Sequence, residues 1–197
     1  MAKRFFETFP ALILEDELKD LFEFAEVTAL KYNRDRTAIH VYLLCRRLIS
    51  KPQIYAVESK IEKQMFPDGD MKIRIFESFS LSEQYTPSYL VDVYKDSLFA
   101  EIKRRSDLDY HILMRADWKV ADDDSLLLTL EDSLWARNRA GELREWIQMV
   151  FYDRCAISIP VAVSFKERDT TAIEEEKKRR GTGYRTYHEG QQRGFQR

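Results

Sequence analysis

Cysteine is almost absent from this chain: two residues, Cys45 and Cys155, stand far apart and outside any metal-ligand spacing. That excludes a disulfide framework and a zinc ribbon, and it points to reduced thiols in a cytoplasmic protein. Histidine is scarcer than the length would allow, with His40, His111 and His188 dispersed along the sequence. No His-Glu-x-x-His and no Gly-x-Ser-x-Gly is present, so neither a zinc hydrolase nor a serine hydrolase announces itself. No apolar run approaches the roughly 20 residues that span a bilayer. The N-terminus, Met-Ala-Lys-Arg-Phe-Phe-Glu, lacks the apolar centre of a secretory signal. Nor is there an excess of positive charge: the net charge of −2 and pI near 6.0 argue against a general nucleic-acid binder, which needs a basic face to displace counterions. A local basic patch is left open by that argument.

What the chain does have is apolar and aromatic mass, 44% and 13% of its residues, which is enough for a real core. Two segments follow one plan. Val27 to Asn33 and Thr37 to Arg46 read as strands around the polar turn Asn33-Arg34-Asp35-Arg36. Ser50 caps a helix that tolerates Pro52 in its first turn and places Ile54, Val57, Ile61 and Met65 on one face. After Pro67-Asp68-Gly69-Asp70, the stretch Met71 to Glu77 alternates as a half-buried strand does. The second segment repeats the order. Trp118 and Val120 lead to the turn Asp122-Asp123-Asp124 and the strand-like "SLLLTLED". A helix then aligns Leu143, Trp146, Ile147, Val150 and Phe151. A last strand follows, with Ile159, Val161, Val163 and Phe165 directed one way.

The expected fold is therefore α+β, two consecutive αββαβ units with the marks of an internal duplication. Between them, Thr86 caps and Pro87 opens a connecting helix whose Leu90, Tyr94, Leu98 and Ile102 recur every four residues; a short helix over Asp107–Met114 follows. The corresponding division is 1–79 for the first unit, 80–167 for the connector and second unit, and 168–197 for a tail. That tail holds eight basic and five acidic residues, shows no apolar period, and reads as a charged flexible linker.

Candidate chemistry is thin. The three adjacent aspartates at 122–124 make a turn more readily than a magnesium site, since neighbours in sequence rarely converge on one ion. No catalytic residue, metal ligand, cofactor or small-molecule substrate is expected. The αββαβ order resembles KH-type modules, but these clamp nucleic acid with a Gly-x-x-Gly loop. None occurs here; Gly181-Thr182-Gly183 in the tail comes nearest. Trp146, Phe151, Phe165 and Phe76 fit core or half-core positions. Phe5, Phe6, Phe9, Tyr85, Tyr89 and Trp135 fall outside the clearest stripes and are the candidate partner-binding anchors; their more ordinary role would be to dock the N-terminal helix and loops.

"FFETFP" (5–10), "IFESFSLSEQYTPSYLVDVYKDSL" (75–98), "LLLTLEDSLWARNRA" (126–140) and "YDRCAISIPVAVSFKE" (152–167) together resemble the N-terminal region of the PolC-type DNA polymerase III alpha subunit of low-GC Gram-positive bacteria. The likeness spans about residues 4 to 167, with Val93 where the family has a leucine-like position before Tyr94. It implies two N-terminal domains, the first similar to a KH-like domain of the clamp-loader tau subunit. In the complete family protein an OB-fold, a PHP domain with its inserted 3′–5′ exonuclease, and the polymerase domains follow. None of those sequences stands in this chain, so their catalytic carboxylates have no counterparts here. The resemblance thus implies a non-catalytic replisome contact module, with clamp-loader tau or another replisome protein as the partner. The alternative is an accessory module for single-stranded nucleic acid, with no membrane role.

Overall fold

The computed structural model describes residues 2–167; the tail at 168–197, with His188 and Gly181-Thr182-Gly183, lies outside the described residues. The first unit opens with β1 (Lys3–Arg4), α1 (Phe5–Thr8) and α2 (Asp16–Phe22). These precede β2 (Glu26–Tyr32), β3 (Ala38–Cys45), α3 (Lys51–Met65) and β4 (Lys72–Phe79). Its four strands lie in the order β1-β2-β3-β4. β2 and β3 form an antiparallel hairpin, and α3 is the crossover that returns β4 parallel to β3. Next come α4 (Pro87–Arg105) and α5 (Asp107–Met114), and then β5 (Asp117–Val120), β6 (Leu126–Glu131), α6 (Leu134–Cys155) and β7 (Val161–Lys166). The second sheet, β5-β6-β7, repeats the antiparallel pair and the parallel return. The chain is α+β with two small sheets, and β2-β3-α3-β4 and β5-β6-α6-β7 share one topology, to which β1 adds a fourth strand in the first sheet.

Local chemistry sets the boundaries. The Ser50 amide donates to Gln53 Oε1 at 3.0 Å, closing the start of α3. Thr86 Oγ1 accepts from the Tyr89 amide at 3.3 Å, with Pro87 in the first turn of α4. Ser106 and Ser133 cap α5 and α6 in the same way. The hairpin turn at 33–37 is tied by Asn33 Oδ1, which accepts from the Thr37 and Ala38 amides at 2.8 and 2.9 Å. The Asp122–Asp124 run is the β5–β6 turn: Asp123 Oδ1 accepts from the Ser125 amide and hydroxyl. Asp124 takes a positive φ of 61°.

The strands bury one face against the helices. Val41, Leu43 and Cys45 of β3 and Ile73, Ile75 and Phe79 of β4 meet Ile54, Val57 and Ile61 of α3. In the second unit Leu126, Leu128 and Leu130 meet Leu143, Ile147, Val150 and Phe151. The α4 stripe Leu90, Tyr94, Leu98 and Ile102 is fully buried and belongs to the same continuous apolar cluster as both sheets. Burial raises the thiols of Cys45 and Cys155 to about 12, which leaves both inert. No helix among the described residues is long and apolar enough to cross a membrane.

Two positions read from the sequence as core or half-core are corrected. Phe165 is 38% exposed at the end of β7, with the Arg137 guanidinium 4.9 Å above its ring. Phe76 is 46% exposed, because β4 turns Ile73, Ile75, Glu77 and Phe79 inward and leaves residue 76 on the opposite face.

Candidate functional site

The six aromatic anchor candidates do not form one surface. Phe5 and Phe9 are buried in the first core, where Phe5 packs on Phe9 and Phe22 with ring centroids 5.1 and 4.8 Å apart. Their role as exposed anchors is corrected: the short α1 turns their rings under the sheet to close the core. Phe6 is half-buried against the same cluster. Tyr85 and Tyr89 form a pair at the start of α4, centroids 5.7 Å apart, with Tyr89 exposed. Trp135, 62% exposed, sits in the first turn of α6 beside Leu134, 72% exposed. It lines a cleft of about 200 Å³ between α5 and α6 with Leu108, His111, Ile112, Arg115 and Ala136. The cleft walls are tied together by a bidentate pair, Arg139 Nε and Nη2 to Asp109 at 2.8 and 2.7 Å. Hydrogen bonding to Arg139 holds the Asp109 carboxyl below its ordinary range.

A second cluster went unread in the sequence. Glu77 of β4 points into the seam between the units with its side chain fully buried. Lys51 Nζ, from the start of α3, donates to Glu77 Oε2 at 2.8 Å. The Tyr94 hydroxyl, from α4, donates to Glu77 Oε1 at 3.1 Å and accepts from Arg154 Nη1 of α6 at 3.2 Å. Arg154 Nε lies 3.4 Å from Glu77 Oε1, and its Nη2 donates to Glu101 Oε1 at 2.8 Å. Two cations thus face two carboxylates, which is how buried charge survives in a low dielectric. Burial and the Glu77 charge push the Tyr94 hydroxyl pKa upward, so it stays a neutral donor. Beside this network, the Glu62 and Glu58 side chains of α3 accept from the Ile73 and Ile75 amides of β4 at 2.8 and 2.7 Å. The one signal in the sequence was parity: alternation through 72–77 inverts at Phe76-Glu77, placing a phenylalanine where solvent should be and a glutamate where the core should be.

An open groove of about 510 Å³ borders the network, with Phe76, Tyr55, Arg74, Arg104 and Arg105 on its walls. Arg104 lies over the Tyr55 ring at 3.5 Å and 3.7 Å from Glu58. Across the outer face of the first sheet, Tyr42 stacks on Phe76 with centroids 5.3 Å apart and planes at 20°. His40 meets Phe76 edge-on at 5.1 Å, and Lys31 Nζ sits 5.1 Å from the Tyr42 ring centre. Among the described residues no group of three or more His, Cys, Asp or Glu side chains converges to hold a metal ion.

Residues 4–75 match the family model described as DNA polymerase III polC-type N-terminus I. That span covers the first unit from β1 into β4. Among curated proteins none matches the chain.

Proposed function

We propose, from the match of residues 4–75 to the DNA polymerase III polC-type N-terminus I model, that the described residues serve DNA replication as a non-catalytic docking module of the polymerase. It makes protein contacts in the replisome, with the clamp-loader tau subunit as the partner. The family match over residues 4–75 is the observation that carries this reading. The architecture supports it. Both units invest their polar groups in holding helices and strands together, and the α5–α6 cleft lined by Trp135 offers an aromatic anchor beside a shaped depression. The αββαβ order supports kinship with KH-like modules, here without the Gly-x-x-Gly loop.

The test is a binding titration of the purified chain against tau, with the sliding clamp and the helicase loader as parallel arms. Tau binding is expected, and Trp135→Ala should weaken it by about tenfold or more, as loss of an aromatic hot spot does. Absence of binding to all three proteins would overturn the docking role. Undiminished tau binding by Trp135→Ala would move the interface away from the α5–α6 cleft.

A further inference from the structure

The two units share a topology, which makes one the control for the other. Both sheets bury one face and leave the other open. In the second sheet, the outward positions in register on β6 and β7 pair Leu127 with Ala162, Thr129 with Ser164 and Glu131 with Lys166. These side chains are aliphatic, hydroxylic or charged, and none is aromatic. In the first sheet the outward pairs on β3 and β4 include His40 with Arg74 and Tyr42 with Phe76, set between Ala38 with Lys72 and Leu44 with Ser78. The fold therefore does not need aromatic rings at these places. Nor does core packing explain Phe76, which leaves 46% of its surface in solvent.

The charges nearby are of one kind where they are free. Five cationic side chains and two carboxylates line the groove that Phe76 borders. The carboxylates have work already: Glu58 holds the Ile75 amide and Glu101 holds Arg154. Arg105 is exposed and forms no ion pair among the described residues. Arg74 is half in solvent, and its closest carboxylate oxygens are at 3.8 and 3.9 Å. At the other end of the aromatic row, exposed Lys31 lies over Tyr42.

Stacked rings on an open sheet face, flanked by guanidinium groups, fit a polymer of flat bases on a phosphate chain. We propose that the outer face of β3–β4 and the adjoining groove bind single-stranded nucleic acid. A base stacks on the free side of Phe76, supported from behind by Tyr42, and Arg74 and Arg105 receive the flanking phosphates. Duplex is disfavoured because its bases are already stacked on each other. Charge complementarity selects this occupant over an apolar peptide, which would leave the arginines unanswered. The small number of free cations sets a modest affinity and a shallow but definite salt dependence.

The test is fluorescence anisotropy of the whole chain with labelled oligothymidylate, oligouridylate and a duplex of equal length, from about 50 mM salt upward. Both single strands should bind and the duplex should bind more weakly; the ratio of the first two says whether DNA or RNA is preferred. Phe76→Ala should lower single-strand affinity by about tenfold with an unchanged melting temperature, as expected for loss of one stacking ring. Arg105→Gln should weaken binding and flatten its salt slope, while Leu127→Ala on the second sheet should leave both unchanged. No single-strand binding at low salt would overturn the proposal. So would equal binding to duplex, or Phe76→Ala and Arg105→Gln proteins that bind like the parent; that last result would assign the affinity to the basic segment at 168–197.

Discussion

Glu77 is the residue on which the seam turns. It comes from the first sheet and receives hydrogen bonds from α3 and α4, with the Arg154 guanidinium of α6 at 3.4 Å. Removing the carboxylate leaves Lys51 and Arg154 buried together without their shared counter-charge. Glu77→Ala should therefore cost about 3–5 kcal/mol in urea denaturation, the range for breaking a buried ion pair from one side. Tyr94→Phe, which removes only the bridging hydroxyl, should cost about 1–2 kcal/mol. A Glu77→Ala protein as stable as the parent would mean that water reaches the seam and solvates the two cations. The sequence signalled this site only as a fault in a pattern. Alternation says which residues of a strand share a face, but it cannot say that a glutamate on the inner face has found two cations and a tyrosine from elsewhere in the chain.

At the scale of elements, most of the architecture was legible. Strand periods, the Ser50 and Thr86-Pro87 helix starts and the Leu143–Phe151 stripe are local signals, and each marks an element now in place. What was not legible was the direction of rings at strand and helix ends. Phe5 and Phe9 are buried although α1 is only four residues long, because Phe5 packs on Phe9 and on Phe22 of α2, within the same core cluster. Helix α6 shows a local cost that can be measured. Its C-cap, Ala156, sits in the left-handed region at φ 53°, where a Cβ is disfavoured and glycine is not. Ala156→Gly should raise stability by about 1 kcal/mol in urea titration. A loss instead would show that entropy in the unfolded chain outweighs the relief of strain.

Across the whole molecule, the two sheets are not two cores. One apolar cluster runs from Phe5 to Val161 through the buried stripe of α4, and the Glu77 network crosses the same seam. The chain should therefore unfold in one step. All three tryptophans, Trp118, Trp135 and Trp146, lie in the second unit. Tryptophan fluorescence thus reports that half, while far-ultraviolet circular dichroism reports both. The two curves should share one urea midpoint. Separate midpoints would show the units to be independently stable, with the seam only a contact between them.

The two glutamates that hold the Ile73 and Ile75 amides have a consequence for how any partner can approach. β4 is the last strand of its sheet, and an outermost strand ordinarily offers its free amides as a template for another chain. Here that template is already read by Glu62 and Glu58. Strand addition along β4, whether by an extended peptide or by a second copy of the protein, would first have to displace both carboxylates. Recognition on this side of the first unit is therefore left to side chains, and its specificity can be altered there without touching the hydrogen bonds of the sheet.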